Sequence, residues 1–359
     1  MNKRQTIEQL RPKDVVKSIF LLKYIAVMEG RDGKNYLNLI LSDSSGQIEA
    51  RKWRGANEVS SIIEKGNYVQ VKGKVNNYQN RIQVIVDEIE KISENDIDLT
   101  DFIPKSENDS SIMFDELIAI VEQLDDVYIK ELLQNILHDH EIFRKLKSWS
   151  AGKSIHHAYQ SGLLEHILSC SNLALLLSNH YKVNKNYVVA GAILHDLCKV
   201  FELTEGPLVE YTDEGKLVGH LVKSAELIDH FILKTKGFPR DLKNHLKHIL
   251  LSHHGHYEYG SPKLPQTSEA YLVHLIDLMD SKMNSLDTIK KTDKTPGEWS
   301  SYVKHLDRMV YKGKLPFYNK KINLESKEKN ENHEKPIKTS EKLTHNMADQ
   351  LKGFKVTSN

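Results

Sequence analysis

Apolar and polar positions alternate with a period of two from about residue 15 to residue 92, and with a helical period from about residue 112 onward. The first stretch predicts a strand at 18–27, a turn at Arg31-Asp32-Gly33-Lys34, and a second strand carrying Tyr36, Leu37, Leu39, Ile40 and Leu41. A turn at 43–46 leads to a third strand at 47–53, and residues 57–64 suit one short helix. Residues 68–75 alternate cleanly, 76–80 turn, and 81–86 close the set. Five strands with a helix between the third and fourth match the order of an OB barrel. The fold class is therefore mixed: an N-terminal five-stranded OB-type β-barrel followed by an all-α domain.

The polar stretch 96–111, with Pro104 and a Ser/Asn/Asp cluster, predicts a linker. Phe114, Leu117, Ile118, Val121 and Leu124 then fall on one helical face, and helices are expected to about Tyr311. The division predicted is 1–95 for the barrel, 96–111 for the linker, 112–315 for the helical domain, and 316–359 for a charged, disordered tail.

At 39% hydrophobic and 28% charged residues, the 359-residue chain has the balance of a soluble protein. No apolar run approaches the ~18–20 residues of a membrane span, and residues 1–17 lack the apolar core of a secretory signal. Cys170 and Cys198 do not suggest a disulfide framework, so a reducing cytoplasm is expected and no membrane partner. Net charge is only +1, yet residues 1–95 carry 16 Lys/Arg against 12 Asp/Glu. That surplus is compatible with a phosphate backbone without demanding one.

Histidine changes the picture. Of 18, thirteen lie between His156 and His274. His166, the pair His195-Asp196, His220, the pair His253-His254 and Asp277 each sit in or beside an apolar helical stretch, about one helical hairpin apart. A lone histidine on an apolar helix is usually a satisfied core residue, and His180, His230, His245 and His248 read that way. The ordered set reads as a divalent-metal site, because a buried carboxylate is costly unless paired or metal-bound and imidazole with carboxylate suits Mn, Fe, Co, Ni or Zn.

The strings Gly162-Leu163-Leu164-Glu165-His166, Ala192-Ile193-Leu194-His195-Asp196, Ser252-His253-His254-Gly255, Gly260-Ser261-Pro262-Lys263 and Asp280-Ser281-Lys282-Met283 stand in this order. Together they resemble the HD-domain superfamily of metal-dependent phosphohydrolases, and more closely the YhaM-type bacterial 3′-to-5′ exoribonucleases, which join an OB fold to an HD domain. The resemblance spans roughly residues 15 to 300. It implies His166, His195, Asp196 and Asp277 on one metal, and Asp196, His220 and His253 toward a second, with His254 a ligand or a neighbour of one. It departs from the family at Cys198, where glycine is usual, and in the tail. Two ions are implied, Mn²⁺ first, with Co²⁺, Fe²⁺, Ni²⁺, Zn²⁺ or Mg²⁺ compatible with the same ligands.

Two cations hold phosphate oxygens and acidify a water for attack on phosphorus. Asp196, Lys199 and His157 are the expected catalytic residues: Lys199 on a phosphate oxygen, His157 as proton donor. Lys153, His156, Lys263 and Lys282 are candidate substrate contacts; for the last two, plain solvated lysines are the stronger reading. Cys198 reads as packing, and Asp280 as a support to the site or a helix cap. In the barrel, Tyr36, Trp53 and Tyr78 could stack bases while Lys52, Lys74 and Arg81 meet phosphates. The expected activity is release of nucleoside 5′-monophosphates from the 3′ end of single-stranded RNA, with DNA not distinguished and a homo-oligomer allowed. The alternatives are an HD phosphodiesterase or nucleotidase for a small nucleotide, and a non-catalytic nucleic-acid-binding protein.

Overall fold

Residues 4–78, 81–153, 156–293 and 295–316 are described by the computed structural model. The chain divides into residues 1–313, which hold every element named below, and residues 314–359. The tail expected from residue 316 lies, from 317 on, outside the described residues.

Side chains at every second position of five strands close a barrel. The strands are β1 (Val15–Glu29), β2 (Asn35–Asp43), β3 (Gly46–Lys52), β4 (Tyr68–Tyr78) and β5 (Arg81–Ile92), in the closed order β1-β2-β3-β5-β4. All pairings are antiparallel except β3 with β5. β1 serves two neighbours: residues 15–21 pair with β4, and residues 21–29 with β2. The change of partner coincides with a register shift between Leu22 and Tyr24, as expected where a bulge bends a strand around a barrel. Val16, Phe20, Leu22, Leu37, Leu39, Leu41, Val69, Val71, Val84 and Val86 fill the interior. The short helix α1 (Ala56–Ser60) lies between β3 and β4.

Two segments that are mostly polar in sequence are anchored by isolated apolar residues. Ile7 and Leu10 join the barrel core, and the Ile7 N–H donates to buried Asp43. Within the 96–111 stretch, Phe102 is buried against Tyr68 with the Arg4 guanidinium over its ring, and Lys105 bridges to Gln160. A single aromatic in a charged run is invisible to periodicity, which needs a repeat.

The helices are α2 (Ser110–Glu122), α3 (Val127–Leu137), α4 (His140–Leu146), α5 (Gly162–Tyr181), α6 (Lys185–Leu194), α7 (Lys199–Glu202), α8 (Asp213–Leu217), α9 (Gly219–Ile232), α10 (Arg240–Ser252) and α11 (Ser268–Thr292). Asp109, Asp126 and Asp139 each accept from the backbone N–H groups of the second and third residues of α2, α3 and α4, the usual work of an N-cap carboxylate. Leu117, Leu132, Ile136, Ile167, Val189, Ile193, Leu246 and Ile276 belong to one continuous core. α6 presses closely on α10 and α11 at Gly191, where a Cβ would come within 2.7 Å of Ile249 and 2.8 Å of Val273. α10 leads to His253 and α11 carries Asp277, so this glycine sets how near the histidine-bearing segments come.

Helix does not continue to Tyr311 as expected. α11 ends at Thr292, and the rest is irregular, with bridges Trp299↔Tyr311 and Val303↔Arg308. Asp293 ends the helix and organises the irregular segment: its carboxylate accepts from the Thr295 and Ser301 N–H groups, the Ser301 hydroxyl and the Lys312 ammonium at 2.7 Å. Burial works to raise its pKa, but Lys312 and the Ser301 donors lower it to about 2. The folded-state value lies below the ordinary one. The carboxylate's stabilisation is therefore complete above about pH 4 and is lost as pH falls toward 2. Asp293→Asn should cost about 1–2 kcal/mol in urea unfolding at pH 7, solvent screening included, and the gap from wild type should narrow at pH 3. A pH-independent gap would refute the ionic role.

Candidate metal centre

α6 stops at Leu194, and His195 to Cys198 form a turn before α7. His195 and Asp196 thus sit on the turn that follows the apolar helix α6. The turn faces His166 on α5, His220 at the start of α9, His253 and His254 just past α10, and Asp277 on α11. His166, His195 and His253 are fully buried; Asp196 and His220 are nearly so.

Among the described residues four groups of potential ligand atoms lie within 4.8 Å of one another, and two of them consist of the predicted residues alone. One is His166, His195, Asp196 and Asp277; the other is His220, His253 and His254. Asp196 faces both. Its Oδ2 lies 3.4 Å from His166 Nε2 and 3.6 Å from His195 Nε2. Its Oδ1 lies 3.3 Å from His220 Nε2 and 3.6 Å from His253 Nε2.

The protons of these rings are committed elsewhere. Each Nδ1–H donates to an oxygen: His166 to Asp280 at 2.7 Å, His195 to the Ala192 carbonyl at 2.9 Å, and His220 to Glu202 at 2.9 Å. His253 donates to the Leu250 carbonyl and His254 to that of Tyr259, both at 2.8 Å. Carbonyls and ionised carboxylates only accept, so all five Nε2 atoms of the neutral rings present lone pairs. His166 Nε2 and His195 Nε2 point at each other at 3.1 Å. His220 Nε2 and His253 Nε2 are buried with no hydrogen-bond partner among the described residues. Lone pairs facing lone pairs and a carboxylate repel unless a cation stands among them. The donor set, the orphaned nitrogens and the outer carboxylates together fit divalent metal.

The surrounding carboxylates favour a cation at this point, either a proton on His166 or a metal ion that displaces it. Burial opposes charge on His166, but the Cys170 sulfur and Asp196, Asp277 and Asp280 outweigh it and hold its pKa well above the ordinary value. Burial likewise opposes ionising Asp196, yet Lys199 and His195 hold its carboxyl far below the usual range. Burial also works against Asp277, which is held low in the same way by His166 and His195. Burial pushes the Cys198 thiol up to about 12, consistent with packing and not with a nucleophile.

Other expected site residues are placed differently. Lys199 Nζ lies 2.6 Å from Asp196 Oδ2 and its side chain is largely buried, so it is bound to the cluster itself. His157 is buried; its Nε2–H donates to Asp280 at 2.9 Å, and its Nδ1 accepts from the Tyr159 hydroxyl at 2.9 Å. His156 lies beside the cluster with its ring centroid 6.0 Å from that of His166, and its ring has no hydrogen-bond partner among the described residues. Burial, then Lys199 and His166, lower its pKa to about 4. His156 and His157 both take positive φ, 28° and 47°, a strained backbone that packing must maintain.

The remaining lysines need correction. The Lys153 ammonium is paired with Glu210, which also binds Lys65 of the barrel. Lys263 and Lys282 are exposed, near His248 and His305, and make no polar contact with the cluster among the described residues. Lys52 is buried and donates to the Asp87 carbonyl at 2.8 Å, so it is not offered to a phosphate. By contrast, Tyr36 and Trp53 form a tilted pair with centroids 4.7 Å apart, Trp53 being 54% exposed. Tyr78, Lys74 and Arg81 are exposed where β4 meets β5; the intervening turn residues 79 and 80 lie outside the described set.

Glu202 escapes a reading of the sequence alone. With Asp196 and Lys199 it follows a spacing of three, D-x-x-K-x-x-E, which is the available signal. Asp280 does more than support the site or cap a helix: besides His166 it binds His157 and Ser169. His274 is buried, its Nδ1–H donating to the His253 carbonyl. Its ring lies so close to Gly255 (φ 80°) that a Cβ there would meet it at 2.2 Å.

Comparison with known families falls on the same two regions. Residues 13–92 match the model of an OB-fold nucleic acid binding domain, and residues 163–282 match that of the HD domain. The chain joins an OB-fold domain to an HD domain. An HD domain indicates a metal-dependent phosphohydrolase, and an OB fold indicates nucleic-acid binding. Among solved structures, similarity extends to the second OB-fold domain of replication protein A from Methanococcus maripaludis. The identity is 21%, over 26% of this chain and 97% of that one, with a TM-score of 0.22. Schizosaccharomyces pombe Pot1pC bound to single-stranded DNA is 13% identical over 26% of this chain and 88% of its own, with a TM-score of 0.22. No helix among the described residues is long and apolar enough to cross a membrane.

Proposed function

We propose that the protein is a metal-dependent 3′-to-5′ exonuclease of single-stranded RNA that releases nucleoside 5′-monophosphates. The observation that carries the phosphodiesterase part is the set of five histidines whose Nδ1 protons are committed outward, four of which, His166, His195, His220 and His253, bring Nε2 to within 3.6 Å of Asp196. His166, His195, Asp196 and Asp277 would hold one divalent ion, and Asp196, His220, His253 and His254 the other. Such a pair polarises the phosphoryl group and acidifies the attacking water. Lys199, held by Asp196, balances the carboxylate charge, a role that replaces the phosphate contact expected for it. His156, unpartnered beside the cluster, is the group free to touch the leaving oxygen. His157, locked between Asp280 and Tyr159, orients Asp280 and through it His166; that role replaces the proton donor expected for it. Exposed Trp53, backed by half-buried Tyr36, would stack bases without regard to sequence. The 3′ polarity and the choice of RNA rest on the family resemblance of the motif strings.

The test is an incubation of RNA labelled at its 5′ or 3′ end with Mn²⁺, using wild type and His195→Ala. Stepwise loss from the 3′ end, absent in the variant, is expected. Turnover of small nucleotides with inert RNA would move the function to nucleotide metabolism, and binding without turnover would make it a binding protein.

A further inference from the structure

The barrel and the helical domain enclose a cleft that neither the metal centre nor the barrel aromatics account for. It has a volume of about 70 Å³ and is lined by Lys23 of β1, Pro104 of the connecting segment, and Ser148, Ser150, Tyr159 and Thr204 of the helical domain, among others. That space would hold about five waters at ~15 Å³ each, or one tetrahedral anion. The 204–210 loop forms one wall and touches the barrel: Leu208 packs toward Gly66, and Glu210 binds Lys65 and Lys153 together.

Lys23 is the anomaly. It occupies the irregular position of β1, between Leu22 and Tyr24, where the strand exchanges neighbours. Its side chain is half-buried, and burial lowers its pKa. Among the described residues it makes no side-chain hydrogen bond or ion pair, whereas Lys65 and Lys153 share a carboxylate. Glu205, the carboxylate in the lining, is drawn toward Arg144 at 3.8 Å. A half-buried ammonium without a counter-ion is costly; Ser148, Ser150 and Thr204 line the same space with their hydroxyls donating to the carbonyls of Lys145, Gly152 and Leu208, which leaves Lys23 as the group there to meet an anion. The opposite wall leads to the metal centre, since the Tyr159 hydroxyl donates to His157, which donates to Asp280, which accepts from His166.

We propose that this cleft is a phosphate subsite, in which Lys23 binds a backbone phosphodiester of the single strand on its way from the barrel to the metal centre. The proposal rests on the reading of the protein as an enzyme for single-stranded nucleic acid, and it adds a contact where the two domains meet. A backbone phosphate is favoured over a free one because the cleft is walled by both domains and connects to the ligand shell.

The test measures binding of a labelled twelve-nucleotide RNA in EDTA, over a salt series, to wild type, Lys23→Gln and Lys23→Arg. Lys23→Gln should weaken binding three- to tenfold at low salt and make the log K against log salt slope shallower by about 0.7, the value of one single-strand phosphate contact. Lys23→Arg should retain both. Equal affinity and slope in Lys23→Gln overturn the subsite. So does a wild type that binds no RNA, or one that takes up inorganic phosphate through Lys23 while RNA binding ignores the substitution. The two ideas fail separately. RNA bound through Lys23 but never cut with Mn²⁺ removes the nuclease and leaves the subsite; RNA cut normally with an unchanged slope does the reverse.

Discussion

Asp196→Asn is expected to reduce metal-dependent phosphodiester hydrolysis by about 10³-fold or more, with the fold intact by circular dichroism. Among the described residues this is the carboxylate that faces both histidine clusters, Oδ2 toward His166 and His195, Oδ1 toward His220 and His253. An amide keeps the shape but has one oxygen and no charge, so it cannot serve two cations. Losing several kcal/mol of charge stabilisation at phosphorus corresponds to three or more decades in rate. The same variant should bind fewer than two divalent ions per chain by elemental analysis after desalting. Full activity with two ions retained would sink the two-metal reading.

Glu202→Gln and Asp280→Asn should each lower metal affinity or activity about 10- to 100-fold. Neither residue belongs to the convergent ligand set. Glu202 accepts the Nδ1 proton of His220, and Asp280 that of His166. The amide replacements can still accept that bond through their carbonyl oxygen, but they no longer raise the basicity of the ring. A steeper requirement for Mn²⁺ in the activity titration, with the rate at saturation largely recovered, distinguishes this tuning role from direct action on substrate. Equal Mn²⁺ dependence in wild type and variants would remove it. Because Asp280 also binds His157 and Ser169, its replacement should have the larger effect.

The barrel was legible because half-buried strands repeat every two residues and their turns carry Gly, Asn and Asp. The buried cluster of histidines and aspartates was legible because such residues in apolar helices are too costly to leave unexplained. Their supports were harder to see. Glu202 looks like any helix-end carboxylate until the turn at His195 brings α7 under α9. Lys52, Lys153 and Lys199 look equally available to phosphate in sequence, yet each is taken by an internal partner: the Asp87 carbonyl, Glu210 and Asp196. Residues 293–311 pass for helix because apolar residues scattered at helical intervals carry no sign of the Asp293 network that replaces it.

By itself the sequence determined the order of barrel and helices, the residue types suited to a divalent metal, and the turn and cap chemistry that sets local structure. Local composition and period suffice for these, since they depend on neighbours a few positions away. Only the tertiary structure decided which nitrogens face inward, which carboxylate stands between the two clusters, and which lysine of the cleft is left without a partner. Those outcomes depend on how closely α6 packs on α10 and α11 at Gly191, and on where the barrel meets the helices. Contacts between residues scores of positions apart fix both, and no local pattern encodes them.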